Sequence, residues 1–292
     1  MISLILAAIV SFGTTLFVTP HFIKYLTRKK YGQFIRQDGP ERHFDKLGTP
    51  TMGGVVIIFA VILGFVTYSA YNYITINHPP STSLLLVLFL FLSMGLVGFI
   101  DDYIQIVKKR SLGLTVKGKL ALQLLFGSVF TVLAINFPNS NGLTPASTNI
   151  SFLRDTSLNF EALGPVLGVI ALIIWINFII LSWTNAINLT DGLDGLATGV
   201  SSMGFAAYVL ICMWKSSKSC ALAINQGITT TNISDITGEA TTNELCYTVR
   251  DPWDLATFSA IVLVALVGFL WWNASPAKIF MGDTGSLALG GA

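Results

Sequence analysis

Five aspartates stand where apolar runs end or resume: Asp101 and Asp102 in SMGLVGFIDDYI, Asp191 and Asp194 in NAINLTDGLDGLATG, and Asp283 in SPAKIFMGDTGS. Ionisable groups at membrane depth are costly and usually mark function. Adjacent carboxylates repel, so Asp101 and Asp102 favour a divalent cation or a protonated partner nearby, and a separation of about 100° around a helix directs them to different roles. Asp191 and Asp194 are three residues apart, so a helical turn would carry both on one face, while Gly192 and Gly195 let a backbone or a phosphate approach. Asn185, Asn188 and Thr190 add neutral hydrogen-bonding groups suited to a polar ligand. Gly282 to Gly285 read as a tight turn from which Asp283 would cap a following helix and also ligate a metal.

Each cluster has a plainer reading beside this one. Asp101 and Asp102 could merely end a helix and balance the lysines that follow, and the Asp191 group could cap a helix and complement its dipole. What favours chemistry is their number, and a donor set of oxygens with only 3 histidines in the chain. Such a set suits Mg²⁺, which binds through one or two carboxylates plus substrate phosphates. A diphosphate substrate follows, with a cation neutralising charge while the protein positions the reactants.

The elements that carry these residues are membrane spans. The 292 residues are 53% hydrophobic and 11% charged, with mean hydropathy +0.69, against roughly a quarter charged in a soluble domain. A bilayer helix needs about 20 mostly apolar residues. Seven complete candidates run Ile2 to Tyr25, Gly53 to Ile76, Ser83 to Ile100, Leu120 to Phe137, Leu163 to Trp183, Leu196 to Trp214 and Leu255 to Trp272. An eighth begins near Ser286 and stops with the chain, so a C-terminal truncation is expected. The fold class predicted is an all-α polytopic integral membrane protein, residues 1–292 forming one membrane-embedded domain with its active site on the cytoplasmic face.

Lys and Arg are retained on the cytoplasmic side. If odd-numbered spans run inward, thirteen of the 17 basic residues lie inside, which places the amino terminus outside and the loops carrying all five aspartates in the cytoplasm. The net charge of +2, with the basic residues scattered near span ends, argues against nucleic acid as a partner. Cys212, Cys220 and Cys246 show no metal-ligand spacing; the last two share a polar loop and could pair in an oxidising compartment. The outer segments 138–161 and 215–254 read as solvated loops, the first with a small hairpin. The loop RQDGPERHFDKLGTPTMGG supplies Arg42, His43 and Lys46 as phosphate ligands or as positive-inside anchors, and Lys117 and Lys119 pose the same choice.

Four motifs, DGPERHFDKLGTPTMGG (38–54), GFIDDYI (98–104), NAINLTDGLDGLA (185–197) and FMGDTGSLALGG (280–291), resemble in order and over nearly the whole chain the phospho-N-acetylmuramoyl-pentapeptide transferases of bacteria. The resemblance implies about ten transmembrane helices, a bacterial inner-membrane location, a homodimer and a Mg²⁺ requirement. The reaction implied carries phospho-MurNAc-pentapeptide from UDP-MurNAc-pentapeptide to undecaprenyl phosphate and releases UMP. Carried over by position, Asp101 and Asp102 match the family's aspartate pair for lipid-phosphate activation and diphosphate or metal handling, Asp283 its metal-associated aspartate, Asn188 and Asp191 its nucleotide-sugar site, Lys46 and Thr51 its loop near the substrate, and Phe280 the place where an aromatic ring stacks on uracil. Asp101, Asp102 and Asp283 are thus the expected catalytic residues, Asp102 and Asp283 the expected metal ligands, and Lys119 and Asp194 are expected to join the substrate-binding set. Gln105 stands where the family commonly has lysine, and the family's histidine-rich motif would lie beyond residue 292. Two other readings compete: a sister enzyme that moves phospho-GlcNAc, and a cation-coupled transporter, which would place its acids near the bilayer midplane.

Overall fold

The computed structural model describes residues 2–29, 31, 48–108, 113–139, 142–151, 155–219 and 248–292. Its helices are α1 (Ile2–Arg28), α2 (Gly54–Ile76), α3 (Thr82–Lys108), α4 (Val116–Asn136), α5 (Pro165–Thr190), α6 (Leu196–Ser217), α7 (Pro252–Asn273) and α8 (Gly282–Gly291). The first seven are long and apolar enough to cross a bilayer, and the protein is an all-α polytopic membrane protein. Between α4 and α5 lies the expected hairpin, β1 (Asn149–Ser151) paired antiparallel with β2 (Asp155–Asn159), followed by a 3-10 turn at Phe160–Leu163.

The core is where α7 meets α1, α2 and α6, and where α8 enters against α3, α5 and α2. Phe91 of α3 meets Phe258 of α7 edge to face with ring centres 5.9 Å apart, and Ile57, Ile261, Leu266 and Phe269 are fully buried around them. In lipid, apolar side chains gain little by leaving one apolar neighbour for another, so close backbone approach and interhelical hydrogen bonds hold helices together. Gly98 and Gly54 supply the approach. A Cβ on Gly98 would lie 2.0 Å from the Asp283 carbonyl oxygen, and one on Gly54 would lie 2.0 Å from the Gly285 nitrogen. Two small crossings therefore admit α8 to the middle of the bundle.

Three boundaries differ from the sequence expectation, and all three matter to the site. Helix α3 continues through Asp101 and Asp102 to Lys108, so both acids are held by helical backbone. Helix α5 continues through Asn185 and Asn188 to Thr190, which confines the polar break to Asp191–Gly195. The GDTG segment is not a turn before the eighth helix; it is that helix's first turn.

Candidate active site

Thr115, in extended conformation, starts α4 by accepting a hydrogen bond from the Gly118 amide, 3.2 Å, in the usual manner of a helix N-cap. One turn on, Lys119 leaves α4 towards α3 and α8. Its Nζ donates to Asp283 Oδ2 at 2.6 Å and lies 3.5 Å from Asp101 Oδ2. One ammonium thus serves two carboxylates from separate helices. Asn188, near the end of α5, uses its amide nitrogen on the other side of the same acid, donating to Asp283 Oδ1 at 2.7 Å and to Ser286 Oγ at 2.9 Å.

Asp101 faces the segment that joins α3 to α4. The Leu114 amide donates to its Oδ1, and the Gln105 amide nitrogen donates to its Oδ2 at 3.2 Å. Gly113 lets this segment close over the acid, since a Cβ there would lie 2.3 Å from Asp101 Oδ1. Asp101, Gln105, Leu114, Lys119, Asn185 and Asp283 line a cleft of about 340 Å³.

Asp102 points the other way, as the helical angle between adjacent residues requires. It is 4% exposed, and its oxygens are spent on the start of α8: Oδ1 accepts the Asp283 amide at 3.1 Å, and Oδ2 accepts the Thr284 amide at 2.9 Å and the Thr284 hydroxyl at 2.6 Å. Asp191 accepts the preceding amide, Gly282 N, at 2.9 Å. The first amides of a helix have no partners within it and carry the positive end of its dipole. Carboxylates from α3 and from the loop after α5 satisfy three of them here. Burial pushes the Asp191 carboxyl up to about 7; the Gly282 amide opposes that rise and the Asp283 charge adds to it.

These contacts bear on the expectation for Asp102 and correct the one for Asp283 as a helix cap. Asp102, expected to share a metal with Asp283, gives Oδ2 to two bonds from Thr284 and Oδ1 to one from the Asp283 amide, and it is not among the residues lining the cleft. Asp283 does not cap α8; it sits inside the first turn, capped by others, with its side chain turned to Lys119. Among the described residues, no three His, Cys, Asp or Glu side chains form a ready metal cage. The donors that do reach the cleft, Asp283 and Asp101, are oxygens, and a carboxylate oxygen already accepting one bond retains a lone pair. That set fits a hard cation whose remaining ligands come from substrate and water.

The other residues singled out from the sequence are spread around this centre. Thr51 lies beside Gly282, where a Cβ would stand 2.9 Å from Thr51 Oγ1. Its segment pairs with the chain before α8 through Phe280 N to Pro50 O at 2.8 Å and Gly53 N to Phe280 O at 2.9 Å. Phe280 is buried at 4% exposure, so its ring offers little surface to a stacking partner in this arrangement. Asp194 and Asp191 do not share a helical face, because Asp191–Gly195 is a turn; Asp194 instead accepts the Ala277 amide at 3.2 Å and ties that turn to the segment before α8. Lys119 is in the site, whereas Lys117 is exposed. Lys46, Arg42 and His43 lie outside the described residues, as do Cys220 and Cys246. Thr284, Ser286, Gly98 and Gly113 were missed as site residues; only their place inside or beside the aspartate motifs could have flagged them.

Two family patterns match this chain. Residues 84–292, more than half of it and including every acid of the cleft, match Glycosyl transferase family 4, and residues 46–58 match Phospho-N-acetylmuramoyl-pentapeptide-transferase signature 1. A phospho-N-acetylmuramoyl-pentapeptide-transferase of Beutenbergia cavernae is 50% identical over 100% of this chain and 76% of its own length. The chain belongs to the phospho-N-acetylmuramoyl-pentapeptide-transferase family. Proteins of the same name from Arthrobacter sp. and Renibacterium salmoninarum are each 52% identical, again over 100% of this chain and 76% of their own length. As a member of this transferase family, the chain is a phosphotransferase, and the acids gathered at Lys119 are its candidate reactive groups.

Proposed function

We propose that this protein transfers phospho-MurNAc-pentapeptide from UDP-MurNAc-pentapeptide to undecaprenyl phosphate in peptidoglycan synthesis, releasing UMP. The observation that carries the reading is the single Lys119 ammonium held between Asp101 and Asp283 at the wall of an open cleft, in a chain 50% identical over its full length to a transferase of that name. An oxygen of the lipid phosphate attacks the sugar-proximal phosphorus of the nucleotide, and UMP leaves. Asp101, whose Oδ2 lines the cleft, orients the attacking phosphate and takes its proton where one is present. Lys119 places positive charge beside the anionic reactants, and Asn188 fixes the rotamer of Asp283. Asp283 with Asp101 would hold Mg²⁺, which when bound supplies charge neutralisation at the diphosphate. Asp102 and Asp191 act by holding the start of α8, and so the Asp283 backbone, in place.

The same reading makes residues 1–292 one transferase domain and places the protein in the bacterial inner membrane as a homodimer, amino terminus outside and cleft towards the cytoplasm. Thr51, Lys46, Asp194 and Phe280 belong to the substrate-binding surround. Clustering of the acids at one end of α3, α4 and α5 disfavours a transporter relay, which needs acids along the span. A phospho-GlcNAc substrate is the nearer competitor. The test is UMP release by the full-length protein with each UDP-sugar, with and without Mg²⁺. Release from UDP-MurNAc-pentapeptide, dependent on Mg²⁺ and lost in Asp283→Asn, is the expected result; lipid product formed from UDP-GlcNAc alone would reverse the substrate, and near-normal turnover by Asp283→Asn would remove that residue's role.

A further inference from the structure

We infer that Gln123 and Thr184 are a positioning pair that locks α4 against α5 in the one register where Lys119 and Asn188 meet the same carboxylate. The inference rests on the transferase reading above. The two helices run antiparallel, and Lys119 and Asn188 bracket Asp283 from either side. One turn deeper on each helix, four residues along in both cases, stand Gln123 and Thr184, with Gln123 Nε2 donating to Thr184 Oγ1 at 3.2 Å. Thr184 is fully buried and Gln123 is 1% exposed, lying at the floor of the cleft beneath Lys119. The direction of the bond is settled by the hydroxyl's only hydrogen, which goes to the Ile180 carbonyl at 2.7 Å and leaves a lone pair for the glutamine.

The rest of the α4–α5 seam explains why such a lock is needed. Phe126, Phe130, Ile176 and Ile180 pack there as an apolar cluster. Apolar packing in a lipid environment resists separation only weakly and resists sliding even less, whereas a buried hydrogen bond is directional and fixes rotation and register together. A second polar rung lies deeper still, where Asn177 Nδ2 donates to Ser128 Oγ at 3.2 Å beside the close approach at Gly127. Helix α8 joins at the same point: a Cβ on Gly290 would lie 2.4 Å from the Thr184 Cα. Thr184 is therefore where the helices bearing Lys119, Asn188 and Asp283 come together. Thr184 lies outside the cleft and Gln123 meets it only at its floor, with its amide nitrogen turned to Thr184, so the pair sets the distance between those three groups from beneath the site.

The test compares Thr184→Val, Gln123→Met, their double variant and Thr184→Ser with the wild-type full-length protein, counting turnover per folded molecule by size exclusion in detergent. Removing either partner should lower kcat for UMP release by about tenfold while KM for both substrates moves less than about twofold, because geometry at the reacting centre is lost and binding is not. The double variant should be no worse than the worse single, since both remove one bond. Thr184→Ser keeps the acceptor and should turn over as wild type; should Thr184→Val fail to fold, Gln123→Met and the serine variant still decide the matter. Wild-type kcat in a folded Gln123→Met or Thr184→Val protein would overturn the pair, as would losses that multiply in the double variant. Failure of the wild-type protein to release UMP at all would overturn the transferase reading instead, and Asp283→Asn run alongside marks the difference.

Discussion

At the end of the bundle away from the cleft, Asp251 and Asp254 at the start of α7 are bound by neutral donors. Asp251 accepts from Ser83 Oγ and from Asn139 Nδ2, the latter at 2.8 Å, and Asp254 accepts from Tyr68 OH and the Ser81 amide, each at 3.2 Å. These bonds tie α7 to α2, α3 and the end of α4, and they tie them as a knot. At the cleft end the acids are differently provided for. Asp102 and Asp191 are knotted into α8 in the same fashion, while Asp101 and Asp283 share one ammonium and face an opening. Clustered carboxylates in a membrane protein thus serve two purposes, and what separates them is whether donors inside the protein use up the charge.

The comparison breaks most readily at Asp283. Asp283→Asn keeps the shape and removes the charge, and UMP release should fall at least about a hundredfold, as when a central electrostatic group is lost. Next in size, Lys119→Met leaves Asp101 and Asp283 facing each other without their cation; turnover should collapse, and the protein should lose about 1–3 kcal/mol of stability in a denaturation series. Asp251→Asn at the far end should reverse the pattern, costing about 1–2 kcal/mol through weakened bonds to Ser83 and Asn139 while turnover per folded molecule holds. A loss of kcat there as large as that of Asp283→Asn would erase the distinction between the two ends. The smallest effect belongs to Asp155 on β2, whose side chain is 36% exposed and lies 3.5 Å from Arg250. Burial works to raise its carboxyl, but bonds from Ser151 and Ser147 and the Arg250 charge prevail and hold it below the ordinary aspartate value. A group so depressed stabilises the fold above its unfolded value, and the benefit fades as pH falls through the folded value. Asp155→Asn should therefore cost no more than about 1 kcal/mol near neutral pH, after allowance for solvent screening, and nothing in strong acid, readable as melting temperature against pH.

Much of this architecture was legible in residue types alone. Runs of about 20 apolar residues located all seven spans, because hydrocarbon thickness leaves little choice of helix length, but the ends of α3 and α5 lie eight and seven residues beyond the apolar runs. The aspartate motifs singled out Asp101, Asp191 and Asp283, which the fold gathers around the start of α8. Periodicity also separated Asp101 from Asp102 correctly. It did not say that Asp102 would face a helix start, because that depends on where α8, nearly two hundred residues away in sequence, is admitted by Gly98 and Gly54. Gln123 and Thr184 were invisible for a related reason: a glutamine and a threonine inside apolar spans signal a polar contact, but only the packed helices reveal with whom.

The crossing at Gly98 carries a lesson for interpreting natural variation in this chain. A methyl group there would press on the Asp283 carbonyl, and the displaced carboxylate would lose its grip on Lys119, although no charged or polar group had been added or removed. Harm at such a position is invisible to any score built on chemical similarity. Exchanging the exposed, charged Lys117 would look far more drastic on paper and disturb far less.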